Sequence, residues 1–152
     1  MSVLFPHKAC IPLFLLSTSF NILQQKLTDK TMKILLIVED NPKMRQMIRS
    51  LFPDSGYQIY ECDDGSEALE MYKLRKPDWV LMDVVMKKMD GITATRQIID
   101  TYPDAKIIIV TDYDDKMLRE KAKSAGAYDY VVKEDLYVLE RIIENFNSPN
   151  CN

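Results

Sequence analysis

Residues 34–38, 79–82 and 107–110 are apolar at every position. A strand with one wet face alternates polar and apolar residues, whereas short unbroken apolar runs fit strands buried on both faces of a parallel sheet. Residues 58–62 are mixed and suit a strand near an edge, and residues 128–132 supply a fifth candidate. Between these runs, apolar residues recur three and four apart, the helical spacing. The sets are Met44, Met47, Ile48 and Leu51; Ala68, Leu69, Met71 and Tyr72; Ile92, Thr95, Ile98 and Ile99; Met117, Leu118, Ala122 and Ala125; and Leu136, Leu139, Ile142, Ile143 and Phe146. Five strands alternating with five helices predict an α/β fold. Short connections then force right-handed crossovers and a parallel sheet.

The punctuation agrees. Asn41 before Pro42 reads as an N-cap followed by proline at the first helical position. Gly126 stands where a helix ending at Ser124-Ala125 wants a left-handed residue. Pro77 and Pro103 fall between helix and strand, where they stop a helix without removing a ladder bond. No internal repeat and no low-complexity segment interrupts the pattern.

A chain of 152 residues suffices for one domain with a real core. Residues 32–152 carry 17 basic and 22 acidic side chains, so no basic excess supports a nucleic-acid-binding reading. Cys10, Cys62 and Cys151 are scattered and odd in number, which suggests no disulfide framework and fits a reducing, cytoplasmic compartment. The apolar run over residues 9–16 is too short, and too interrupted by Pro12, to span a bilayer. It resembles a signal-peptide core only faintly, with no clean cleavage site behind it. Met32 is therefore read as the natural start. Residues 1–31 are set apart as a leader without an assigned role, residues 32–147 as the domain, and residues 148–152 as a tail.

In open parallel α/β sheets, ligands bind outside the carboxyl ends of the strands. The polar residues that end the apolar runs are Glu39 and Asp40, Asp83, Thr111, and Lys133. The four glycines are isolated, which removes the dinucleotide fingerprint and the P-loop. Two like charges about 5 Å apart repel by roughly 3 kcal/mol at an effective dielectric of 20. One lysine balances one of three carboxylates, so the cluster wants a hard divalent cation, and magnesium suits one or two carboxylates plus a phosphoryl oxygen. With a phosphoryl donor, Asp83 can act as the attacking carboxylate while Thr111 and Lys133 absorb charge on the transferring group.

Several motifs stand in order along residues 32–147: Val38-Glu39-Asp40-Asn41, Asp64-Gly65-Ser66-Glu67-Ala68-Leu69, Pro77-Asp78-Trp79-Val80-Leu81-Met82-Asp83, Met89-Asp90-Gly91, Val110-Thr111, and the run from Ala125 to Lys133. Together they resemble the receiver domain of bacterial two-component response regulators, of the chemotaxis-regulator (CheY-like) kind. The resemblance implies a doubly wound five-stranded parallel sheet in the order 2-1-3-4-5, with helices on both faces. It implies Asp83 as phosphoacceptor and a magnesium ion held directly by Asp40 and Asp83, through water by Glu39, and by the carbonyl of Val85. Thr111 would hydrogen-bond the phosphoryl group, Lys133 would pair with it, and Tyr130 would turn inward on activation. The implied partners are a sensor histidine kinase or phosphotransfer protein, and a target reading the face of the fourth helix, fifth strand and fifth helix. A phosphorylation-dependent dimer is compatible with that face. The chain would be a stand-alone switch rather than an enzyme.

This sequence also departs from the family pattern. Lys87 follows Met86 where a proline is usual, and Glu134 follows Lys133 where a proline is usual. Val85 and Tyr113 occupy the two positions that tune phosphoryl lifetime. Asp112 follows Thr111 where the family keeps a small residue. Asp112 has two readings: a carboxylate that repels the incoming phosphoryl group, or a cap on the fourth helix together with Asp114. Lys87 and Lys88 are expected to face water. Two alternatives stand beside the switch. One is a magnesium-dependent aspartyl-phosphate hydrolase, which expects its nucleophile at the end of the first strand. The other is a pseudo-receiver that binds partners without phosphorylation, favoured by Asp112.

Overall fold

In the computed structural model, which describes residues 32–52 and 56–146, five strands are laid down. They are β1 (Lys33–Val38), β2 (Tyr57–Cys62), β3 (Trp79–Met82), β4 (Ile107–Thr111) and β5 (Asp129–Val132). All pairings are parallel, in the order β2-β1-β3-β4-β5. The expected order is the observed one. The mixed run becomes the edge strand β2, and the three unbroken runs occupy the centre, where both faces are covered. The leader at 1–31 and the tail at 148–152 lie outside the described residues.

The helices are α1 (Pro42–Ser50), α2 (Gly65–Arg75), α3 (Gly91–Thr101), α4 (Lys116–Ser124) and α5 (Leu139–Asn145). A 3-10 helix, Lys133–Val138, precedes α5. Because side chains alternate along a strand, Leu35, Ile37, Trp79, Leu81, Ile108, Val110 and Val131 face one core with Ile48 of α1 and Leu139 and Ile143 of α5. Leu36, Val38, Val80, Met82, Ile107 and Ile109 face the other core, against Ala68 of α2, Ala94 and Ile98 of α3, and Ala122 of α4. Each fully buried Leu or Ile contributes on the order of 1.5–3 kcal/mol, an upper figure because unfolded chains already bury some surface. Alanines dominate the second core where α2 and α3 approach the sheet, which lets three helices share that face.

Local signals explain the helix starts. The Asn41 side chain accepts hydrogen bonds from the Lys43 and Met44 amides ahead of Pro42. Asp64, Asp90 and Asp115 cap α2, α3 and α4 in the same manner. The α4 cap corrects one expectation: Asp115 accepts from Leu118, while Asp114 pairs with Arg119 instead. The cap falls to Asp115 because α4 begins at Lys116, which puts only Asp115 next to the first turn. Gly126 has φ +93° after α4, as its position predicts.

The register sets the site. Val38 of β1 pairs with Met82 of β3, and Thr111 of β4 pairs with Val132 of β5. The residues that follow or end these strands therefore emerge together at one edge of the sheet.

Candidate functional site

The edge so formed brings Glu39, Asp40, Asp83, Thr111 and Lys133 together. Asp83 leaves β3 with its backbone amide still donating to the Val38 carbonyl (2.8 Å). Its carboxylate is buried, and Oδ1 accepts from the Val84 amide at 2.8 Å and lies 3.4 Å from Lys133 Nζ. Burial and, secondarily, the Glu39 charge push the Asp83 carboxyl up to about 6, against the pull of Lys133.

Lys133 is the counter-charge. Its side chain is 6% exposed, and Nζ lies 2.8 Å from Glu39 Oε2, 3.2 Å from Asp112 Oδ2 and 3.4 Å from Asp83 Oδ1. Burial alone would lower its pKa. The Glu39 and Asp83 carboxylates outweigh that and hold the ammonium above its ordinary range. Glu39 is itself buried, and its Oε1 accepts from the Asn41 amide at 3.0 Å. Arg45 of α1 donates to the Glu39 carbonyl at 2.5 Å and is held in turn by Glu61 of β2. Arg45 thus fixes the backbone from which Glu39 and Asp40 project, a role that sequence reading missed. Its place on the first turns of α1, three residues past Pro42, is the only signal that could have found it.

Glu39, Asp40 and Asp83 each offer a carboxylate oxygen within 4.8 Å of the others. Lys133 contacts two of these three and is shared with Asp112, so negative charge is in excess. Such a set of hard oxygen donors fits a magnesium-type cation. The Val85 side chain, in the loop after Asp83, is 56% exposed.

Thr111 is fully buried, and its Oγ1 has no hydrogen-bond partner among the described residues. A buried hydroxyl left unpaired costs about 1–3 kcal/mol, so its persistence calls for an explanation. Tyr130 is half-buried. Its hydroxyl donates to the Tyr113 carbonyl (2.6 Å), and the Arg119 guanidinium sits 4.4 Å from its ring centroid. The burial of that ring raises the Tyr130 pKa, with Arg119 opposing and Asp114 and Asp115 assisting. The β4–α4 loop is therefore tied at Asp112 by Lys133, at Tyr113 by Tyr130 and at Asp114 by Arg119.

Asp112 takes the site-facing position of its first reading, where it binds Lys133, and not the helix cap of its second. Lys87 and Lys88 are exposed, as expected, and the Lys88 amide donates to Asp64 Oδ2 (2.9 Å). Asp64 thereby joins the cap of α2 to the loop that follows Asp83.

A family model for the response regulator receiver domain matches residues 35–144. Chemotaxis protein CheY of Thermotoga maritima is 38% identical over 116 residues, which cover 76% of this chain and 95% of that protein. Chemotaxis protein CheY of Bacillus subtilis is 36% identical over 114 residues, 74% of this chain and 93% of that one. Among solved structures, the CheX-CheY-BeF3-Mg2+ complex from Borrelia burgdorferi aligns with a TM-score of 0.69 at 30% identity, over 75% of this chain and 89% of that one. Sheet order, strand-end carboxylates and these similarities agree, and the chain belongs to the response regulator receiver domain family, the CheY-like receivers of two-component signalling.

Proposed function

We propose that this chain is a phosphorylation-dependent switch in a two-component phosphorelay, with Asp83 as the phosphoacceptor. The observation that carries the reading is a buried carboxylate at Asp83, beside Lys133, at the same sheet edge as the buried, unpartnered hydroxyl of Thr111. Each is difficult to explain alone. A phosphoryl group on Asp83 accounts for both, because its oxygens accept from Thr111 Oγ1 and from Lys133 Nζ.

In the transfer, a carboxylate oxygen of Asp83 attacks phosphorus. A P–O bond to Asp83 forms as the P–N bond of a phosphohistidine donor breaks, and the electron pair leaves with the imidazole. Lys133 and Thr111 donate to the phosphoryl oxygens as charge develops on them. Asp40 and Asp83 would hold a magnesium ion directly, Glu39 through water, with the Val85 carbonyl completing the set; bound there, it supplies positive charge between the carboxylates and the transferring group. The Borrelia CheX-CheY complex with BeF3 and Mg2+ supports an anion and a magnesium ion in a related fold.

A sensor histidine kinase or a phosphotransfer protein is the proposed donor, and a protein partner reading the α4–β5–α5 face is the proposed output. Drawing Thr111 toward the phosphoryl group would let Tyr130 leave its Tyr113 anchor and pack inward, which alters that face. A cytoplasmic location suits both partners. No described helix is long and apolar enough to cross a membrane.

Incubation with a small-molecule phosphodonor, followed by intact mass, tests the reading. The wild type gains one phosphoryl mass only when magnesium is present, and Asp83→Asn gains none. Labelling that persists in Asp83→Asn places the acceptor elsewhere and overturns it.

A further inference from the structure

Lys133 has three N–H donors, and three carboxylates surround its nitrogen: Glu39 at 2.8 Å, Asp112 at 3.2 Å and Asp83 at 3.4 Å. Three carboxylates share its charge, and of the three contacts only that to Asp112 Oδ2 has hydrogen-bond geometry. If a phosphoryl group arrives on Asp83, Lys133 must give up a partner to meet it. The three are not equally easy to leave. The Glu39 side chain is 2% exposed, so breaking its contact would strand a buried charge. Asp83 carries the incoming group and stays beside the lysine. The Asp112 side chain is 65% exposed, and water replaces Lys133 there at little cost.

We infer that Asp112 is a positioning residue: it holds Lys133 in the unphosphorylated protein and surrenders it to the phosphoryl group. This inference rests on the acceptor role proposed for Asp83. It gives the unusual carboxylate after Thr111 a task that is neither capping nor simple repulsion. It also gives the transfer a mechanical consequence. Asp112 opens the β4–α4 loop, and its neighbour Tyr113 accepts the Tyr130 hydroxyl. When Lys133 lets go of Asp112, that loop loses its tie to the site and keeps those of Tyr113 to the switch tyrosine and of Asp114 to Arg119.

The tether slows phosphorylation by the fraction of time Lys133 is engaged. An exposed ion pair is worth about 0.2–1 kcal/mol, and in the upper part of that range, about 0.4–1 kcal/mol, its loss accelerates the reaction by about two- to fivefold. The test uses the full chain at saturating magnesium, with two donors, dianionic acetyl phosphate and the less charged phosphoramidate. Phosphorylated fraction is followed by intact mass. Asp112→Ala is expected to raise the maximal rate two- to fivefold equally with both donors, leaving the half-saturating donor concentration unchanged. Asp112→Glu, which keeps the carboxylate, returns the rate toward wild type. In a Lys133→Ala background, Asp112→Ala adds no acceleration, because the tether is already gone.

Acceleration confined to acetyl phosphate, or undiminished in the Lys133→Ala background, overturns the tether and leaves a repulsive gate. Equal rates for wild type and Asp112→Ala also overturn it. A wild type that takes no label from either donor instead overturns the acceptor role of Asp83, and the tether with it.

Discussion

Gly91 lies against the backbone of Asp83: a Cβ at residue 91 would stand 1.8 Å from the Asp83 carbonyl oxygen and 2.8 Å from its carbonyl carbon. The Gly91 amide also donates to the Val84 carbonyl at 3.0 Å, so the start of α3 is clamped onto the turn that presents Asp83. Hydrogen at the α-carbon is therefore a requirement of the site, imposed by close approach rather than by an unusual φ.

Gly91→Ala accordingly forces α3 and the Asp83 turn apart. Overpacking of this kind costs about 1–3 kcal/mol. At about 4 °C per kcal/mol for a domain of this size, the melting temperature should fall by about 4–12 °C. Phosphorylation from a small-molecule donor should slow in the same variant, because the acceptor shifts against Thr111 and Lys133. An unchanged melting temperature together with an unchanged rate would show that the turn accommodates the methyl.

Much of this arrangement could be read from the chain. Unbroken apolar runs located β1, β3 and β4, and the polar residue ending each run located the site, because a parallel sheet collects its strand ends on one edge. What escaped the sequence depends on contacts between distant loops. Lys133 and Asp112 meet across 21 positions, and no local pattern announces that pairing. The acidic run of Asp112, Asp114 and Asp115 offered several caps for α4, and only the helix start decides among them. The fifth helix is preceded by a 3-10 segment in which Asp135, with φ −110° and ψ 24°, leaves helical geometry; residues spaced three apart fit either helix type. Lys76, at φ 46°, ends α2 in the left-handed region without glycine to signal it.

Lys133 is also a structural residue. Its ammonium is the close counter-charge of Glu39, and both side chains are almost wholly buried. Removing one partner of a buried ion pair typically costs about 3–5 kcal/mol, since the other is left uncompensated. Lys133→Ala should therefore lower the midpoint of chemical denaturation markedly at neutral pH. Adding Glu39→Gln should restore part of the loss, a coupling that a double-mutant cycle reads directly. Strict additivity of the two changes would mean that the pair contributes nothing.

Cys62 ends β2 and is 7% exposed. Burial first, then the Glu67 and Asp63 carboxylates, push its thiol up to about 12. Thiolate is the reactive form, so the folded protein should present almost none of it at Cys62 near pH 8. Iodoacetamide treatment followed by peptide mapping should leave Cys62 unmodified in the native protein and modified in denaturant. Native labelling at the rate of a free thiol would contradict the burial of this strand end.

Asp64 couples stability to pH with a definite sign. Its Oδ1 accepts from the Ser66 amide (2.8 Å) and its Oδ2 from the Lys88 amide (2.9 Å), so one carboxylate caps α2 and holds the loop beyond Asp83. The Ser66 hydrogen bonds, chiefly, lower its pKa from 3.8 to about 2, with Lys88 adding to them. A folded pKa below the unfolded one means that the ionised form stabilises the fold. That contribution is fully present above about pH 4 and is lost as pH falls through about 2. Asp64→Asn keeps a capping oxygen, and asparagine caps about as well as aspartate. Its amide nitrogen cannot accept from Lys88, however, so the second tie is broken. The variant should be less stable than wild type at pH 7, and the gap should narrow as both are acidified from pH 4 toward pH 2. Urea midpoints measured across that range decide the matter, and a gap that stays constant to pH 2 would assign the loss to packing rather than to the carboxylate charge.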